Sequence, residues 1–309
     1  MRPRRWNHPG AGLLAILLAA LAGAARGGPP PALPAGFEYR GFIRDARLPE
    51  LSGLAASPTQ PGVFWALNDS GNAPLLVRLT LDPAVIDALP LSPASHLDWE
   101  DLAAWQEPDG RGWLAVADVG DNFALRPHVL VHLLPEPAPG QTQASPARTL
   151  RLRYEDGPRD CEAVAVDVSG RRLLLLDKRR TPIGLYEAPL DAAGGEAVLT
   201  ARRIASLPVH WPEPLPLVSP LSAHQRGQIT AADLSADGRT LVLLTYTHLL
   251  RYQRGEGEDW PAALARPPGL YQRLPRYGGF ESLALDRDGR RLWLGTEGEW
   301  AHLFGYVPP

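Results

Sequence analysis

One cysteine and one lysine stand in a chain of 309 residues. With only Cys161, no intrachain disulfide can form and no thiolate cluster can hold zinc, so closure of the fold falls to strand pairing. The remaining basic residues are arginines, and the formal net charge is −3. That balance excludes nucleic acid as a partner, because its binding needs a basic patch. The sequence has no HExxH, GxSxG or Walker loop, which removes the common zinc-protease, α/β-hydrolase and P-loop chemistries. Histidines are scattered without metal spacing; His96 and His248 alone stand where a general base is conceivable.

Long apolar runs are equally scarce. Arg2, Arg4 and Arg5 precede an apolar stretch at 11–25, which is shorter than the ~20 residues a spanning helix needs. Ala22-Gly23-Ala24 has the small-x-small form of a signal peptidase site, so residues 1–24 are expected to be a signal peptide. No cysteine follows to carry a lipid anchor. The expectation is a monomer, periplasmic or secreted, with no stable membrane anchor. Residues 25–36 read as a Pro/Gly-rich spacer and 37–309 as a single domain.

What the chain has in quantity is a repeated phrase. Glu50-Leu-Ser-Gly-Leu-Ala, Asp98-Trp-Glu-Asp-Leu-Ala, Asp160-Cys-Glu-Ala-Val-Ala, Gln228-Ile-Thr-Ala-Ala-Asp and Gly279-Phe-Glu-Ser-Leu-Ala are five copies of one polar-then-apolar segment. Most copies are followed by a turn pair (Asp109-Gly110, Ser169-Gly170, Asp237-Gly238, Asp288-Gly289) and a second apolar run. Two short apolar runs around such a turn predict a β-hairpin. Hairpins repeated at this period predict an all-β fold, a β-propeller of five four-stranded blades, with six the alternative. The last copy lacks a fourth strand, which residues 37–43 can supply by pairing with 301–306. Residues 209–227, rich in proline, are expected to loop over one face.

In an antiparallel hairpin, the start of the first strand and the end of the second lie at the same end. If the first strands line the axis, one face collects Glu50, Asp98, Glu100, Asp101, Asp160, Glu162, Thr230 and Glu281 from the starts. From the ends it collects Asp69, Asp118, Asp121, Lys178, Tyr246 and Glu297. So many carboxylates repel one another unless protonated, paired or bound to a cation. Oxygen-rich sites suit a hard cation, Ca²⁺ ahead of Mg²⁺ because its larger shell tolerates irregular geometry. Asp69, Asp98, Glu100, Asp118, Asp121 and Glu162 are the candidate metal ligands. Lys178 and Arg126 are the candidate internal counter-charges, and Trp99 a candidate stacking surface. Against this stands ordinary turn chemistry, in which Asp and Asn fix loops by bonding their own backbone.

The set ALNDSG, DWEDLA, VADVGDN with LPEP, DCEAVAVD and GFESLALDRDGR resembles a family of secreted bacterial β-propeller proteins, loosely described as phytase-like or repeat-propeller proteins. The resemblance spans about residues 47–300. It implies a propeller and export, and assigns no reaction. Where that family's pattern has Glu in the fourth copy, this chain has Thr230.

Two readings of function follow. One is a binding module for a small-molecule or envelope ligand, with a cation in the axial pocket. The other is a metal-dependent hydrolase of a small ester, lactone or phosphate, with Glu162 or Glu281 as base and Lys178 beside them.

Overall fold

Twenty strands alternate with short connections in the computed structural model, which describes residues 33–207, 227–298 and 300–309. The expected signal peptide, the spacer up to residue 32 and nearly all of the expected 209–227 loop lie outside the described residues.

Three four-stranded antiparallel sheets recur: β2 (Leu51–Ala56) to β5 (Val85–Pro90), β14 (Ile229–Leu234) to β17 (Leu270–Arg273), and β18 (Phe280–Leu285) to β20 (Ala301–Tyr306) completed by β1 (Phe37–Ile43). Two further four-strand meanders, β6 (Trp99–Gln106) to β9 (Arg148–Tyr154) and β10 (Cys161–Asp167) to β13 (Val198–Leu207), merge into one eight-stranded sheet. Their outer strands β13 and β9 pair in parallel, Val198 opposite Arg151 through Ala201 opposite Tyr154. That junction, which the sequence did not announce, removes two exposed edges that would otherwise invite aggregation. β1 pairs antiparallel with β20, from Phe37 opposite Tyr306 to Ile43 opposite Ala301, so the N-terminal strand completes the last sheet.

The first strands β2, β6, β10, β14 and β18 are neighbours in a cycle that returns from β18 to β2. This is a β-propeller. The position of β10 explains why it is buried at every residue, including polar Glu162 and Asp167: a strand at the axis has neighbours on both faces. Outer strands such as β1 and β13 are mostly half-buried or exposed, with one and two buried residues. The apolar core is divided between successive sheets; Val131, Leu150, Val164 and Tyr186 fill one interface, and Leu174, Leu241 and Trp260 the next.

Side chains tie the central strands where backbone pairing does not. Asp101, fully buried, accepts N–H bonds from Leu102 (2.8 Å), from Val164 of β10 (2.8 Å) and from Ala232 of β14 (3.3 Å). Asp233 accepts from Leu234 and from Leu285 of β18, each at 2.8 Å. The Ser52 hydroxyl donates to the Glu100 carbonyl (2.5 Å) and that of Thr230 to the Phe280 carbonyl (2.9 Å). Among the described residues one helix breaks the pattern: α1 (Trp260–Leu264) is capped by Asp259, which accepts from the Ala262 N–H at 3.0 Å.

Candidate functional site

Every central hairpin opens with the same irregularity. The register slips by one residue between Leu51 and Gly53, Trp99 and Asp101, Cys161 and Ala163, Ile229 and Ala231, and Phe280 and Ser282. The extra residues at these β-bulges are Ser52, Glu100, Glu162, Thr230 and Glu281. A bulge re-aims its side chain, and these five, all buried, form the inner tier of the site. Ser52 and Thr230 turn their hydroxyls onto the neighbouring strand. Glu100, Glu162 and Glu281 are left as the tier's charges.

The far ends of the second strands form two further sets. Asn68, Asp118, Asp177, Thr245 and Thr296 stand opposite the first residue of each inner strand and are all buried. They fix loops. Asn68 accepts from Glu50 N–H (3.1 Å) and donates to the Arg47 carbonyl (2.9 Å). Thr296 Oγ1 accepts from His302 N–H (2.9 Å).

One residue further on, Asp69, Lys178 and Glu297 occupy equivalent places. Their N–H groups bond the carbonyls of Glu50, Asp160 and Gly279 at 2.9–3.0 Å. Tyr246 holds the corresponding position after β15. After β7 one extra residue, Val119, intervenes, and the equivalent bond is made by Gly120, whose N–H reaches the Asp98 carbonyl at 3.2 Å. A Cβ on Gly120 would lie 2.2 Å from Glu100 Oε1 and 2.5 Å from Asp98 Oδ2. The missing side chain is the space into which these two carboxylates fit. Gly120→Ala is therefore expected to keep the fold, by swinging flexible carboxylate tips, while displacing Glu100. Near-native circular dichroism with a displaced Glu100 carboxylate in the variant's crystal structure would be the outcome; an unmoved Glu100 would refute this role.

Two carboxylate groups result: Asp69, Asp98 and Glu100, and then Glu100, Asp160 and Glu162, with ligand atoms within 4.8 Å of one another in each. Glu162 faces Lys178, Oε1 to Nζ 2.6 Å, and the ammonium lies 5.2 Å from the Tyr246 ring centre. Asp160 accepts from Asp121 N–H (3.0 Å) and from Arg179 Nε. Burial pushes Asp98 up to about 6, with the Asp69 charge adding to it. Burial pushes Glu162 up to about 8 against the opposing pull of Lys178. Glu281 rises to about 8 through burial and the Glu297 charge, with Lys178 and a Tyr246 hydrogen bond opposing. Burial and the Glu162 charge hold Glu100 well above the usual carboxylate range. Burial alone would depress Lys178, but Glu162, Tyr246, Glu281 and Glu100 outweigh it and keep the ammonium charged.

Other residues singled out from the sequence are placed elsewhere. Asp118 accepts from Ser95 Oγ (2.7 Å), Leu97 and Asp98 N–H (3.2 Å each) and Arg126 Nη2 (2.8 Å). Asp121 accepts from Leu125 and Arg126 N–H, both at 2.8 Å. Both stand outside the two carboxylate groups: Asp118 ties the β5–β6 loop to Arg126, and Asp121 holds the β7–β8 loop, which is turn chemistry. Trp99 is fully buried with its N–H on the Ser95 carbonyl (2.8 Å), so it packs the core and offers no face to a ligand. His96 Nδ1 lies 2.7 Å from the Asn72 carbonyl oxygen. Burial pushes His248 down to about 4, and it stacks on Tyr271 at 4.5 Å. Sequence reasoning gave too little weight to Asp160, Tyr246 and Gly120. The shared offset from the end of each second strand would have singled out Tyr246, and the place just before each inner strand, which holds Glu50 and Asp98 in other copies, would have singled out Asp160.

No family model and no curated protein matches the chain. Among solved structures it is similar to the β-propeller domain of Cps50 (Swd1) from Myceliophteria thermophila, at 14% identity and a TM-score of 0.39, covering 84% of this chain and 65% of that one. It is also similar to a luciferin-regenerating enzyme, at 11% identity and a TM-score of 0.43, covering 84% and 78%. The chain thus spans less than two thirds of the first of these. At such similarity neither neighbour informs the chemistry of the site.

Proposed function

We propose that this is an exported five-bladed propeller whose axial pocket binds a hard divalent cation of the calcium type through Asp69, Asp98 and Glu100. It acts as a ligand- or partner-binding module in the periplasm or outside the cell. The count of five blades is supported by the closed cycle of β2, β6, β10, β14 and β18.

One observation carries the cation reading. Glu100 is 5% exposed, its carboxylate converges with those of Asp69 and Asp98, and its side chain has no hydrogen bond or ion pair among the described residues. A buried carboxylate without a partner is costly. A cation among three carboxylates supplies the missing charge and pulls their pKa values back down. Calcium fits better than magnesium because the three residues leave from different strands and loops with no octahedral symmetry.

The test is calcium titration of EDTA-treated protein followed by thermal unfolding. A ligand bound only by the native state adds about 2.7 kcal/mol at a hundredfold excess over Kd, or about 5 °C in Tm for a domain of this size. Glu100→Gln and Asp98→Asn should fold and lose that rise. An unchanged Tm in calcium and in EDTA would remove the cation from the proposal.

The hydrolase reading has one feature in its favour. Glu281, raised to about 8 beside Tyr246 and Lys178, holds its proton at neutral pH, which suits a general acid better than the base expected from sequence. Turnover of an ester, lactone or phosphate panel that is lost in EDTA and in Glu281→Gln would establish it.

A further inference from the structure

Of the eight large apolar side chains that stand exposed among the described residues, five gather at the end of the propeller where the pocket opens. Phe123 and Leu125, 83% and 77% exposed, tip the β7–β8 loop. Leu97, 65% exposed, stands on the β5–β6 loop, joined to the first through Asp118, which accepts from Leu97 N–H and Arg126 Nη2. Two blades round the ring, Phe42 and Trp300 are 43% and 41% exposed and pack together, ring centres 5.2 Å apart. Ile86, Val198 and Val307 lie toward the opposite end, at 44–47%.

The most exposed tips sit on a fixed backbone. The Asp121 carboxylate accepts from Leu125 and Arg126 N–H, and its carbonyl accepts from Ala124 N–H at 2.7 Å. Ala124 is held at φ 52°, a left-handed conformation that favours glycine. Backbone tied in this way presents its side chains with little ordering left to lose on docking. N–H groups already bonded within the protein can also enter a region without water, where unbonded ones could not. Side chains this exposed stand clear of the surface instead of lining a hollow. A protein partner would need a fitted hollow for each tip, on two blades at once. A lipid surface closes around any protrusion and is flat enough to reach both clusters. The neighbouring charges agree with lipid. Arg44, whose guanidinium lies 4.4 Å over the Trp300 ring, Arg180 of the β11–β12 loop and Arg276 of the β17–β18 loop are exposed at this same end. None of the three bonds a carboxylate among the described residues. Apolar tips flanked by unpaired arginines match acyl chains beneath anionic headgroups, and tryptophan favours that boundary.

We propose that the pocket end of the propeller docks on an anionic lipid surface, with Phe123, Leu125 and Leu97 entering the acyl boundary and Phe42 and Trp300 meeting the headgroup layer. A few apolar tips and arginines give weak, reversible attachment, not an anchor. The inference goes beyond the cation reading and needs no metal, so it is tested in EDTA.

The experiment uses the full chain, vesicles of equal parts phosphatidylethanolamine and phosphatidylglycerol, and a spin label on Leu97→Cys or, at the opposite end, on Val307→Cys. Cys161 is buried and stays unlabelled. A label fixed to one face separates docking there from attachment through the apolar stretch at 11–25. With vesicles, the label at Leu97→Cys should gain collisions with oxygen and lose those with a water-soluble nickel chelate, while the label at Val307→Cys keeps both values. In the Leu97→Cys background, Phe123→Ser/Leu125→Ser should weaken docking about tenfold or more, with circular dichroism unchanged because both side chains are exposed. Arg180→Gln should weaken it about fivefold, and that effect should vanish on neutral phosphatidylcholine. No change at Leu97→Cys, or an equal change at both labels, overturns the proposal. So does a doubled mass without vesicles that Phe123→Ser/Leu125→Ser abolishes, which would assign the tips to a second copy of the chain. Because calcium is absent throughout, failure of the cation reading leaves this result standing, and failure of docking leaves that reading untouched.

Discussion

Asp101→Ala is expected to lower folding stability by about 3–5 kcal/mol, since each orphaned buried donor costs roughly 1–3 kcal/mol. The carboxylate receives three backbone N–H groups, from Leu102, Val164 and Ala232, which belong to β6, β10 and β14. Truncation leaves all three donors in a region closed to water and opens a cavity among the inner strands. Among the described residues no cation pairs with Asp101, and burial holds it well above the usual carboxylate range, the three N–H bonds opposing. Leu102 bonds one carboxylate oxygen and Val164 and Ala232 the other, so Asp101→Asn keeps an acceptor for one side only and should recover part, not all, of the alanine loss. Urea denaturation would read the difference. As a control, Asp109→Ala at the exposed β6–β7 turn, where Asp109 bonds Arg111, should leave the midpoint in place. Equal loss in the asparagine and alanine variants of Asp101 would show that the three N–H bonds are not what holds these strands.

In EDTA, stability should fall as pH rises from about 4 towards 8, the opposite of the usual acid denaturation of a protein rich in ion pairs. Glu281 and Glu162 titrate at about 8 in the fold, against an ordinary 4.5. Asp233, raised by burial against its two N–H bonds, titrates at about 7 against 3.8. Between the ordinary and the raised value, the native state holds a proton that the unfolded chain has lost. Native binding exceeds unfolded binding, so the slope of unfolding free energy with pH is negative throughout that window. The stability is fully present below the ordinary values and gone once pH passes the raised ones. Asp233→Asn should flatten the part between about 4 and 7, and Glu281→Gln the part between 4.5 and about 8. Calcium should reverse the trend near neutrality, because it binds the deprotonated carboxylates. A stability that climbs from pH 5 to 8 in EDTA would mean that these carboxylates are ionised in the native state.

The propeller was legible because strand formation here is local. Apolar alternation, Asp-Gly and Ser-Gly turns and a phrase repeated five times each act over a few residues, and the hairpins 51–67, 161–177 and 280–296 follow from them directly. Closure by β1 was readable from a missing fourth strand. The end of the molecule that gathers the acids was also legible, since antiparallel geometry alone brings strand starts and ends together. The parallel joining of β9 and β13, by contrast, depends on how two outer strands meet in space. Nor did composition separate Asp118 and Asp121, which hold the β5–β6 and β7–β8 loops, from Asp69 and Asp98, which converge on Glu100. An aspartate in a turn and an aspartate in a pocket have the same sequence signature. Which one it becomes depends on whether N–H groups of the loop reach it first. That choice, the bulges that aim Glu100, Glu162 and Glu281 inward, and the vacancy left by Gly120 are set by packing around the axis. Only the tertiary structure decided them, because the groups that compete for each carboxylate come from strands far apart in the chain.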